Sequence, residues 1–373
     1  MIKLSVEISL ILEMEVLTVY REIDIEKVFT DSDTVLVDVR SENEFAEDTI
    51  PGAVNIPLLS NEHRTMVGTV YKQEGPQMAR RLGLELVSPK LPKMVDDFAA
   101  AAKDRDVTVF CWRGGDRSRF TASLLANMGF KVKRVLGGYK AYRRVVHKYL
   151  EQECLPQKAV VLHGLTGVGK TEVIDGLNKE GIPALDLEGM AVHRGSVYGK
   201  IGLPPSPSQK QFESRIFEFF RRHGQQGVFV VECESRRLGK LLVPSSLMTT
   251  MRRGYSILLY ADLETRVERI ERVYTDGPNH NIEELQEATA SLLKRLGKNK
   301  TAELNEMLAA KKFKEVFRYL LTDYYDPLYK YPEGPAKDYD LSVNTAKVEE
   351  AVAKIKKFVI NLPEYRGMKQ EVG

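Results

Sequence analysis

The 373 residues, 43% hydrophobic and 29% charged, leave room for two or three domains, each with its own core. The 55 basic and 52 acidic side chains give a formal charge of +3, too small a balance to identify a nucleic-acid partner from composition. Three cysteines (Cys111, Cys154 and Cys233) cannot all pair and lack metal-ligand spacing, which sets aside a disulfide-stapled fold and fits a reducing cytoplasm.

In chain order, Met1 to Tyr20 is apolar but interrupted by Glu7, Glu13 and Glu15, with no small-residue cleavage site after it. No membrane span or leader is expected; the stretch reads as a folded extension, a strand or helix packed on the first domain. Thr34 to Asp38 reads as a strand, with Asp38 and Arg40 placed either to brace a loop near its end or to form a surface ion pair. Glu44-Phe45 belongs to a short helix, and Ile50 to Pro57 to a turn and strand. Gly68 to Gly75 follows, with Lys72 and Gln73 either facing a ligand or lying on a solvated loop, and then a helical run through Ala79 and Leu82 to Gly83. Leu91 to Ala102 forms an amphipathic helix. Lys133 to Leu136 makes a strand, and Tyr139 to Leu150 a helix whose Arg143, Arg144, His147 and Lys148 offer a solvated basic face or a phosphate-backbone contact.

Between these lies the stretch with the most chemistry. Val107 to Phe110 is a short apolar run expected to be a buried parallel strand. Cys111-Trp112-Arg113-Gly114-Gly115-Asp116-Arg117-Ser118 follows, with Ser118 as a potential N-cap of a helix carrying Leu124, Leu125 and Met128 and stopped by Gly129. Cys111 thus sits at the carboxyl end of a strand, where an open parallel sheet places its ligands. Gly114 and Gly115 permit backbone angles that turn successive N–H groups inward as an anion nest, while Arg113, Arg117 and the helix N-terminus add positive charge. A thiol there should ionise below its free pKa of about 8.5, and the same cradle would hold a terminal persulfide or perselenide anion. Cys154 and Cys233 lack this setting and read as structural.

This loop resembles the active loop of a rhodanese, the sulfurtransferase module. Leu36-Val37-Asp38-Val39-Arg40, Ile50-Pro51-Gly52-Ala53-Val54-Asn55-Ile56-Pro57 and Leu136-Gly137-Gly138-Tyr139 resemble the rest of that signature, in the expected order. The resemblance implies a parallel α/β domain.

After a linker, Glu151 to Lys158, a buried strand Ala159 to His163 runs into Gly164-Leu165-Thr166-Gly167-Val168-Gly169-Lys170-Thr171 and a helix ending near Gly181. This is G-x-x-x-x-G-K-T in the strand–loop–helix setting the motif requires. Gly164, Gly167 and Gly169 let backbone amides wrap a phosphate, Lys170 supplies a point charge, and the Thr171 hydroxyl can hold Mg²⁺. Further strands are expected at Ile182 to Leu187, Val228 to Val231 and Tyr255 to Tyr260, with a helix from Ser208 to His223, an alternation that gives a parallel sheet as in P-loop kinases. Glu232 stands where an Asp would ordinarily hold the metal, so nucleotide hydrolysis does not follow from the motif. Asp186, His193, Arg194, Ser196, Glu234 and Arg236, near strand ends, are candidates for a supporting anion pocket or for structural salt bridges.

From about residue 281 the chain reads as helical and charged, with Lys294, Arg295, Lys298 and Lys300 as a basic stretch. Tyr324-Tyr325-Asp326-Pro327-Leu328-Tyr329-Lys330-Tyr331 is rich in aromatics, which either stack unpaired bases or close a core. The expected divisions are 1–20, an extension; 21–150, rhodanese-like; 151–158, a linker; 159–280, P-loop kinase-like; and 281–373, helical.

Both signatures together, with Tyr71-Lys72-Gln73, Gly137 to Ala141, Asp186 to Gly189, His193 to Ser196, Glu234-Ser235-Arg236 and Tyr324 to Pro327, resemble the tRNA 2-selenouridine synthase family over nearly the whole chain. The resemblance implies a two-stage reaction on the wobble 2-thiouridine of tRNA. A geranyl group from geranyl diphosphate first alkylates the sulfur, and selenium from selenophosphate then displaces the S-geranyl group. It implies Cys111 as the essential cysteine, an S-selanyl carrier held by Arg113, Arg117 and the loop amides, and no tightly bound cofactor. Competing readings are a rhodanese-fold cysteine phosphatase, since Cys111 and Arg117 satisfy C-x5-R; a sulfurtransferase; and a P-loop small-molecule kinase with a regulatory or docking rhodanese.

Overall fold

The computed structural model describes residues 19–275 and 282–366, so the first eighteen residues, expected to be a strand or helix, lie outside the described chain. Two units follow one another, divided between His147 and Lys148.

The first unit is built on five strands: β1 (Arg21–Ile23), β2 (Thr34–Asp38), β3 (Val54–Asn55), β4 (Asp106–Phe110) and β5 (Val132–Val135), in the order β1-β5-β4-β2-β3. Every pairing is parallel. Such a sheet needs cover on both faces, and its central strand β4 is buried from Val107 to Phe110. The helix Leu91–Ala102 presents Met94, Phe98 and Ala102 at helical spacing to the core around Val37 and Val109.

Three local expectations change. Gly68 to Gly75 is not a loop: it lies in and just after the helix Asn61–Gln73, which leaves Lys72 and Gln73 exposed. The break comes at Gly75, with φ +92°, and Pro76 then opens a helix running through Gly83 to Val87. A helical glycine costs only about 1 kcal/mol, so neither Gly68 nor Gly83 stops its helix. Ser118 is not a cap, because the helix Asp116–Asn127 starts earlier, with Gly115 at the N-cap. Arg143, on the helix Gly138–Leu150, is no part of a solvated basic face: it is buried 3.6 Å from Asp48.

The second unit repeats the architecture with β6 (Lys158–His163), β7 (Ala184–Leu185), β8 (Val228–Glu232), β11 (Tyr255–Tyr260) and β12 (Leu341–Asn344), all parallel, in the order β12-β11-β6-β8-β7. A small antiparallel pair, β9 (Arg237–Leu238) and β10 (Leu241–Leu242), follows β8. The strand expected over Ile182 to Leu187 shrinks to β7 because the Asp186 carboxylate accepts from the Gly189 amide at 2.7 Å and starts the helix Leu187–Ala191.

Helices Ile282–Ser291, Lys298–Ala309 and Phe313–Tyr319 gather around Leu285, Leu304, Leu308 and Phe317, together with Tyr198 and Tyr274. The chain then returns to the sheet. β12 pairs with β11, and the helix Val348–Ile360 lies against the helix Lys170–Lys179 so closely that a Cβ at Gly176 would meet Val352 at 2.5 Å. From residue 282 to 366 the chain is therefore helical first and part of the P-loop core afterwards.

Candidate functional site

Cys111 sits directly after β4, 3% exposed, with its Sγ 3.2 Å from the Ser118 hydroxyl. Ser118 lies in the first turn of the following helix and donates to the Gly115 carbonyl at 3.3 Å, so its hydroxyl ties the thiol to the turn. Gly114 takes φ +66°, whereas Gly115 takes −90°, so only the first glycine uses the left-handed region. The loop is held tightly from behind. A Cβ on Gly138 would lie 2.2 Å from the Cys111 carbonyl and 2.6 Å from the Gly114 nitrogen. The Tyr139 and Lys140 amides donate to the Cys111 and Trp112 carbonyls at 2.9 Å.

Arg117 and Arg113 part company. Arg117 makes a bidentate pair with Glu44, at 2.6 and 3.1 Å. Burial pushes the Glu44 carboxyl up, but the Arg117 hydrogen bonds and charge outweigh it and hold Glu44 below its ordinary value. Arg113 is exposed. Asp116 is engaged by Arg80 at 3.0 Å and Arg119 at 3.9 Å.

Two supports were not visible in the loop's own sequence. Arg134, 6% exposed, donates to the Gly114 carbonyl and to Glu22. Asp38 and Arg40 are fully buried and joined at 2.6 Å, so they brace the loop rather than decorate the surface. The Arg40 guanidinium lies 4.0 Å from the Tyr139 ring centre, with the Trp112 ring packed on Tyr139 at 5.3 Å. Tyr139 in turn donates to Asp48 at 2.7 Å. Their separations in sequence explain why only the Asp38–Arg40 pairing was anticipated.

In the second unit the turn between β6 and the helix Lys170–Lys179 has Gly164, Gly167 and Gly169 at φ +146°, +81° and +87°. Each is a close approach: a Cβ would meet Leu259 O at 2.4 Å, Arg266 O at 2.9 Å and the Arg269 guanidinium at 3.0 Å. Lys170 donates to the Gly164 and Leu165 carbonyls at 3.0 and 3.4 Å, while Thr171 is exposed at the start of the helix. Arg266, 2% exposed, donates to the Thr166 carbonyl at 2.8 Å and pairs with Asp326 at 2.5 Å. Thr345, just after β12, donates to the Val168 carbonyl at 2.6 Å. Arg266, Asp326 and Thr345 were missed because each lies far along the chain from the motif.

The supporting residues divide. Glu188 and Glu234 converge at Gly195, where a Cβ would lie 2.5 Å from one Glu188 oxygen and 3.2 Å from one of Glu234. Burial, with Glu234 and Glu232 alongside, pushes the Glu188 carboxyl up to about 9, against the pull of Lys170. Burial and Asp186 push Glu232 up to about 8, and one of its oxygens accepts the Glu188 amide at 2.9 Å. The other Glu232 oxygen is buried without a hydrogen-bond partner. His193 is buried against Gly199 and Gly239, and burial pulls its pKa down. Arg194 donates to the Ile201 carbonyl at 2.8 Å and stacks over Tyr274, while Ser196 lies 3.3 Å from the Tyr274 hydroxyl. Arg236 is exposed. The acids thus gather near Lys170, whereas Arg194 and Ser196 turn toward the helical cluster.

Residues 157–357 match the family model described as the tRNA 2-selenouridine synthase AAA domain, and residues 24–144 that of the rhodanese-like domain. A protein named tRNA 2-selenouridine synthase from Pseudomonas putida (strain F1) is 35% identical over 338 residues, covering 83% of this chain and 90% of its own length. Proteins of the same name from Cupriavidus pinatubonensis and Azotobacter vinelandii are each 36% identical, over 81% and 80% of this chain and 89% and 88% of theirs.

Proposed function

The chain belongs to the tRNA 2-selenouridine synthase family, and from that premise we propose that it replaces the sulfur of a wobble 2-thiouridine in tRNA by selenium, by way of an S-geranyl intermediate, with geranyl diphosphate and selenophosphate as co-substrates. That it is an enzyme of tRNA selenouridine formation follows from its relatives; the two-stage chemistry is our reading.

Alkylation forms a C–S bond as the C–O bond to diphosphate breaks, and the base loses its N3 proton. Selenium of selenophosphate adding at C2 can then expel geranyl thiolate, an easier departure than sulfur leaving a thiocarbonyl, and water cleaves the Se–P bond to release phosphate. The Gly164–Thr171 turn is the natural seat for a diphosphate or phosphate. Mg²⁺ there would rest on Thr171 and the ligand's own phosphates.

The observation that carries the proposal is Cys111, set at a strand end on a doubly braced loop with Ser118 at 3.2 Å, in a chain that also holds a complete phosphate turn. The phosphatase reading is less well served, since Arg117 is committed to Glu44 and Asp116 to Arg80. Purified protein incubated with thiolated tRNA, geranyl diphosphate and selenophosphate should yield geranylated and selenated uridine by nucleoside mass spectrometry. Cys111→Ala and Lys170→Ala should each lose at least one product; unchanged products in both variants would refute the assignment.

A further inference from the structure

The tyrosine-rich stretch divides into two roles. Tyr324 and Tyr325 are 8% and 6% exposed within the helical cluster. Tyr329 is 47% exposed, and Tyr331 is half-buried. The rings of Tyr325, Tyr329 and Tyr331 are nevertheless ordered. Each successive pair is inclined by only 11°, with centres 6.4 Å apart. Whether slid or spaced, parallel rings that far apart leave part of a face uncovered.

Lys330 is the left-handed C-cap of the helix Asp326–Tyr329, with φ +55°, and this helix end turns the chain between Tyr329 and Tyr331.

The location is equally specific. The Tyr331 hydroxyl donates to Cys233 Sγ at 3.5 Å, and its ring meets His163 edge-on at 5.8 Å. His163 is the last residue of β6, immediately before the phosphate turn, and Cys233 follows β8. Tyr329 feels the charges of Glu188 and Glu234. Lys330, between the two tyrosines in sequence, is exposed. Tyr331 also packs against the core around the phosphate turn, whereas Tyr329 leaves nearly half its surface bare, more than core closure requires.

We propose that Tyr329 and Tyr331 form a stacking platform for an unpaired base of the substrate RNA at the mouth of the phosphate turn, with Lys330 facing its backbone. The proposal rests on the reading that tRNA is the substrate. Stacking on an aromatic face is tolerant of base identity and suits a loop nucleotide turned out of its helix.

The test uses the full chain and a synthetic RNA hairpin with one 2-thiouridine in its loop, followed by fluorescence anisotropy and by the absorbance band of the thiolated base. Wild type should bind with loss of absorbance, the mark of stacking. Tyr329→Ala should bind roughly tenfold or more weakly with that loss abolished, while Tyr329→Phe and Tyr329→Trp stay close to wild type. Unaltered melting of Tyr329→Ala confirms that the fold is intact. Binding and absorbance that ignore Tyr329 would overturn the platform and leave the enzyme assignment standing. Failure of wild type to bind either the hairpin or whole tRNA would overturn that assignment and the platform with it. ADP forms a separate arm: Tyr329-dependent ADP binding without Tyr329-dependent hairpin binding would give the rings to a mononucleotide and overturn the RNA assignment.

Discussion

At the residue scale, the acids beside the phosphate turn make a stability prediction with a definite sign. Glu188 keeps its proton to about 9 in the folded chain, against an ordinary carboxyl value of 4.5. Between those limits the folded state holds more protons than the unfolded one, so its stability falls as pH rises. Glu188→Gln removes that titration and cannot ionise. Thermal melts from pH 5 to 9 should show a flatter slope for the variant and a gain on the order of 1 kcal/mol or more at pH 8. A variant less stable than wild type at pH 8 would mean that Lys170 holds Glu188 ionised.

The elements around the phosphate turn are locked by one buried ion pair. Arg266 reaches both Asp326 and the Thr166 carbonyl, so the helix Leu263–Thr275, the start of the helix Asp326–Tyr329 and the turn share one guanidinium. Asp326→Ala leaves that charge buried and unpaired, and should cost about 3 kcal/mol in chemical unfolding. Asp326→Asn, which keeps an acceptor, should lose less. The same pair shows what the sequence reveals and what it hides. The Cys111 loop and the Gly164–Thr171 turn were legible because their chemistry is contiguous: strand, glycines, charge and helix follow within a dozen residues. Arg134, Arg266 and Thr345 were not, since each finds its partner across twenty to nearly two hundred positions, and no local pattern marks them. Ser118 misled for a related reason. Its residue type suits a cap, but the helix begins earlier and turns the hydroxyl to the thiol instead.

For the whole molecule, the decisive event in the second unit is the return of the chain after the helical cluster. Val343, Ala351, Val352, Ile355 and Val359 all enter the core that surrounds the phosphate turn. A chain ended after Lys337 should therefore lose the second unit's fold altogether, seen as fewer protected segments in limited proteolysis and loss of its melting transition. Wild-type melting of the truncated chain would show that β12 is dispensable. The sequence offered little warning, because four residues with one buried side chain carry no readable alternation.

Strand β1 leads to a different consequence. Its Glu22 holds Arg134, and Arg134 holds the carbonyl of Gly114. Three residues at the sheet's margin thereby act as a clasp on the loop that carries Cys111. A fusion or nick that frays this edge would disturb sulfur reactivity without touching the sulfur, and a preparation inactive for that reason would look chemically intact.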